Sequence, residues 1–72
     1  MNKEDLMNQS LEREYEIKIY LKKVRKPHVL IVTKKSYFDE MYQHLANGDK
    51  LIKIGTFIFN GEDFYYATLE EI

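Results

Sequence analysis

The chain has 72 residues, no cysteine and a net charge of −1, so it has room for one domain and none for disulfides, Cys-based zinc sites or thiol chemistry. Eleven Lys/Arg stand against 12 Asp/Glu, a balance that fits neither a globally basic nucleic-acid binder nor an acidic nucleic-acid mimic. Apolar residues at 44% and charged residues at 32% indicate a globular chain, and no apolar run reaches the length of a membrane span.

Residues 1–12 are polar, with Leu6, Met7 and Leu11 scattered among them, and lack the basic-then-apolar order of a secretion signal. They are read as a flexible or partner-ordered tail, residues 13–72 as a single α+β domain, and the compartment as cytoplasmic. Tyr15, Ile17, Ile19 and Leu21 alternate with Glu14, Glu16, Lys18 and Lys22, the period of a half-buried strand. Lys22-Lys23-Val24-Arg25-Lys26 follows as a basic hairpin loop, and Pro27 opens the next run. His28 to Thr33 is β-branched and apolar on both faces, which predicts a central strand covered on both sides.

Ser36 begins a helix, with Asp39 three residues on in the manner of a capping box. Tyr37, Phe38, Met41, Tyr42 and Leu45 recur at helical spacing, and Asn47-Gly48 supplies a stop. Leu51 to Phe59 reads as a third strand. Asn60-Gly61 is a type I′ hairpin signal, and Phe64 to Leu69 is the returning strand. The fold class is therefore α+β, a small β-β-α-β-β domain of two antiparallel hairpins joined by one helix.

One helix covers one face of a sheet. The core face is assigned to Ile17, Ile19, Ile52, Ile54 and Ile58 against Phe38, Met41 and Leu45. Leu51, Phe57, Phe59, Tyr65 and Leu69 then need another cover. Either the strands curl into a partial barrel at Gly55, or a second protomer or another protein lies on that face. Small domains without disulfides or metals favour the protein cover.

Catalytic chemistry finds little support. Ser10 lies in the tail and Ser36 at the helix start, so no activated nucleophile is in view. Asp39-Glu40, Glu62-Asp63 and Glu70-Glu71 read as solvated charge, and His28 and His44 lack a second ligand at zinc spacing. The three glycines form no phosphate loop, so no cofactor and no small-molecule substrate is expected. Two readings remain. The first is a non-enzymatic protein-interaction or regulatory module, a homodimer or binder of another protein, using Leu51, Phe57, Phe59, Tyr65 and Leu69. The second is a nucleic-acid-binding accessory protein using Lys18, Tyr20, Lys22, Lys23, Arg25 and Lys26, where the cations follow phosphates and Tyr20 stacks on a base.

Overall fold

The computed structural model describes residues 13–72; the expected tail, residues 1–12, lies outside the described residues. Strand β1 (Tyr15–Leu21) carries the alternation read from the sequence, with Ile17 and Ile19 buried and Glu16, Lys18 and Tyr20 on the opposite side. It is also the centre of a three-stranded antiparallel sheet. On one side β2 (His28–Val32) pairs with it from Tyr15↔Val32 to Ile19↔His28. On the other lies β5 (Phe64–Glu71), from Tyr15↔Glu71 to Leu21↔Phe64, so the order is β2-β1-β5.

The placement of β2 corrects the expectation of a central, doubly covered strand. Among the described residues it is an edge strand, and of its own residues Val32 alone is buried. Its apolar residues on the second face, Val29 and Ile31, are about half exposed. Among the described residues, the second apolar face of this strand has no covering layer.

Helix α1 (Ser36–Ala46) starts without the expected box. Lys35 is the N-cap and its side chain makes no capping hydrogen bond, and Ser36 is already helical. The first turn instead tightens through Tyr37 N–H to the Lys34 carbonyl and Phe38 N–H to the Lys35 carbonyl. The stop is as read. Gly48 takes φ 78°, its N–H donates to the Leu45 carbonyl, and Asp49 N–H donates to the His44 carbonyl, a Schellman closure. A hydrogen bond of 2.8 Å between His44 Nδ1 and Asp49 Oδ2 spans the same turn.

The predicted third strand is two strands. β3 (Leu51–Ile54) and β4 (Phe57–Asn60) form a separate two-stranded hairpin around Gly55-Thr56. Gly55 has φ 60° while Thr56 has negative φ, the pattern of a type II′ turn with glycine first. Asn60-Gly61 is consequently not the hairpin turn. Asn60 caps a single 3-10 turn (Gly61–Asp63), its side-chain oxygen accepting from Glu62 N–H at 2.9 Å. Gly61 has no positive φ; a Cβ there would stand 2.7 Å from the Asp49 carbonyl oxygen, so the position needs space rather than an unusual angle.

The two-residue turn also resets the face. Ile52↔Phe59 and Ile54↔Phe57 point inward, and Lys53↔Ile58 points outward. Ile58, assigned to the core from an unbroken strand, is 57% exposed, and Phe59 is buried in its place. One core results, made of Ile17, Ile19, Val32, Met41, Ile52, Ile54 and Phe59, with Phe38 and Leu45 packed at its margin. The helix and the second hairpin both cover the same inner face of the three-stranded sheet. The strands do not close into a barrel.

Candidate functional site

The covered inner face leaves the outer face of the three-stranded sheet with no covering element among the described residues. The registers arrange it in rows. Lys18 stands between Val29 and Thr68, and Glu16 stands between Ile31 and Glu70. Tyr20 faces Tyr66. At the tip end the ladder carries a bulge. Leu21 faces Phe64, so Tyr65 is an extra residue, and both Tyr65 and Tyr66 lie exposed although they are consecutive.

Three tyrosines therefore meet on this face. Tyr20 and Tyr66 stack at 4.2 Å between centroids and 10° between planes, and Tyr65 meets Tyr66 edge-on at 5.0 Å. The Tyr66 hydroxyl is held above its ordinary 10.0, first by desolvation among these rings, then by the charge and hydrogen bonding of Tyr20 and the nearness of Tyr65. Such offset and edge-on ring pairs add stability beyond area burial alone.

Charge divides the face lengthwise. Beyond the tyrosines lies the hairpin tip with Lys22, Lys23, Arg25 and Lys26, all exposed. At the other end lie Glu14, Glu16 and Glu70, while Glu71, opposite Tyr15 on the inner side, pairs with Arg13 at 2.7 Å. Lys18 and Glu16 meet at the middle, 3.5 Å apart. Lys22 N–H donates to the Asp63 carbonyl at 2.8 Å and anchors the base of the tip to the start of β5.

Of the residues read from the sequence as a protein interface, the structure gathers only some. Phe59 belongs to the core, and Phe57 and Leu69 are half-buried on the inner side. Leu51 is exposed on the second hairpin, and Tyr65 stands on the outer face of the first sheet. These five do not form one surface. The nucleic-acid set holds together better, with Lys18 and Tyr20 on the outer face and the other cations in the adjoining tip. Val29 and Ile31 are surface residues that sequence reasoning passed over. The signal for both was the doubly apolar β2, taken as buried.

A groove of about 220 Å³ opens under the tip between Ile19, Leu21, Val24, Lys26, Pro27 and Phe57, where His28 stacks on Phe57 at 3.7 Å. Among the described residues no group of three His, Asp or Glu is placed to hold a metal ion, and no helix is long and apolar enough to cross a membrane. No family model, curated protein or solved structure matches the chain.

Proposed function

We propose that this chain is a non-enzymatic protein-binding module that engages its partner through the outer face of the β2-β1-β5 sheet. The observation that carries this reading is the exposure of Val29 (47%), Ile31 (53%), Tyr65 (68%) and Tyr66 (43%) on one sheet face with nothing over them among the described residues. Exposed apolar and aromatic side chains gathered on one face mark contact sites, and tyrosine gives large contact area at low entropic cost. The acidic half of the face, with Glu16 and Glu70, disfavours a phosphate backbone lying along it.

The test compares the wild-type chain with a Val29→Lys/Ile31→Lys variant, each immobilised and offered further copies of the chain and a host-cell extract. Both positions are exposed and lysine is well tolerated on an edge strand, so circular dichroism should be unchanged. A partner held by the wild type and lost by the variant is the expected result. A partner held equally by both removes the outer face from the reading.

One observation favours nucleic acid as a second reading. Lys22, Lys23, Arg25 and Lys26 are exposed and enter no ion pair among the described residues. Binding through the tip would weaken steeply with salt and vanish on Lys23→Glu with Arg25→Glu. Oligonucleotide binding that survives that double reversal rules the tip out.

A further inference from the structure

We infer that the partner on the outer sheet face is a second copy of this chain, packed face to face with its strands running opposite. This rests on the reading of that face as a protein-binding surface and names its occupant. The argument is the self-complementarity of the pattern. Along β1 and β5 the face runs from Tyr20 and Tyr66, next to the basic tip, to Glu16 and Glu70. A two-fold axis that crosses the strands between the Lys18 and Glu16 rows reverses this direction in the second copy. Lys18 then lies over the second copy's Glu16, and Val29 over the second copy's Ile31. The Tyr20 row comes over the second copy's Glu14, one row beyond Glu16, where the phenolic hydroxyl can donate to the carboxylate.

Other symmetric arrangements fit worse. An axis parallel to the strands sets Glu16 and Glu70 over the same end of the second copy, acid on acid. Edge-to-edge pairing of two β2 strands leaves the tyrosines, Val29 and Ile31 in water. Of the three, the reversed face-to-face arrangement sets Val29 against Ile31 and Lys18 against Glu16 at once, as a self-complementary isologous interface requires.

The size of the face sets the strength. Three strands about 4.8 Å apart, with β1 seven residues long at about 3.4 Å each, give two faces of roughly 700 Å² together, below the roughly 1,000 Å² of a stable specific interface and in the range of a weak one. Self-association that appears with rising protein concentration follows, rather than a permanent dimer.

The experiment is light scattering from low micromolar to millimolar protein on the wild-type chain and on Glu16→Lys and Lys18→Glu variants, separately and mixed. The wild type should pass from monomer to dimer. Either reversal alone sets like charges over each other twice, by symmetry, and should weaken self-association by about tenfold or more. The equimolar mixture should recover it as a heterodimer. Positions 16 and 18 are both basic in the first variant and both acidic in the second, so each charge again meets its opposite. A wild type that stays monomeric throughout overturns the inference and leaves the outer-face reading to the extract experiment. A dimer that neither reversal weakens overturns the arrangement. If that dimer also survives Val29→Lys/Ile31→Lys, the outer-face reading falls with it.

Discussion

Aromatic rings occupy two regions of this protein on different terms. On the inner side, His28, Phe57, Phe59, Phe64, Tyr42 and Phe38 follow one another in contact, at centroid separations from 3.7 to 5.9 Å. On the outer side, Tyr20, Tyr65 and Tyr66 touch each other and water. The inner row joins the second hairpin to the helix and to β5 across a core that has few residues to spare. The outer cluster joins β1 only to its neighbour in the ladder. Removal of a ring should therefore read out as stability in one region and as binding in the other.

The largest effect belongs to Phe59→Ala. Truncation of a buried phenylalanine costs about 3–5 kcal/mol, against a total of roughly 0.05–0.15 kcal/mol per residue for a typical domain. Most of this small domain's stability should go, seen as a collapse of the urea midpoint. Tyr65→Ala, at a residue 68% exposed, should change stability by no more than about 0.5 kcal/mol in the same titration. Equal losses from the two variants would mean that the regions are not distinct.

The split between the regions was only half legible in the sequence. Alternation in β1 placed Ile17 and Ile19 inside and Lys18 and Tyr20 outside, and the Asn47-Gly48 stop closed the helix where expected. Parity failed after Gly55, because an apolar run from Leu51 to Phe59 looks the same straight or folded. The two-residue turn put Phe59 in and Ile58 out. The Asn-Gly pair drew the hairpin to the wrong place, since glycine serves an angle at Gly55 and a close approach at Gly61. The site suffered from the same ambiguity. Whether an apolar β2 is a central or an edge strand depends on where β5 joins the sheet, and that is a long-range pairing no local pattern records.

Gly61 offers the intermediate test, because it sits where the inner row turns toward the outer cluster. Its N–H donates to the Lys50 carbonyl at 2.8 Å, and an added methyl would press on the Asp49 carbonyl. Gly61→Ala should cost about 1–3 kcal/mol through this overpacking, measured as a lower thermal midpoint. It should also expose the Gly61–Lys50 hydrogen bond to amide exchange. Unchanged stability would show that the Asp49-Lys50 segment before β3 has more slack than the structure gives it.

The smallest effect lies at alkaline pH and belongs to the outer cluster. Desolvation by its neighbours, and then Tyr20 and Tyr65, hold the Tyr66 hydroxyl above 10.0 in the folded chain. The unfolded chain releases that proton first, so the folded state keeps it more tightly. The stability linked to this shift is fully present below the unfolded value and is lost as pH rises through the folded one. Other phenols and lysines titrate in the same range, so the comparison must be with Tyr66→Phe, which removes this one proton and keeps the ring. Urea midpoints taken between about pH 8 and pH 11 should fall more steeply for the wild type than for the variant. Parallel curves would show a cluster that is wet throughout. If the outer face closes on a second copy, the extra desolvation adds to the shift, and the gap between the two curves should widen as protein concentration rises.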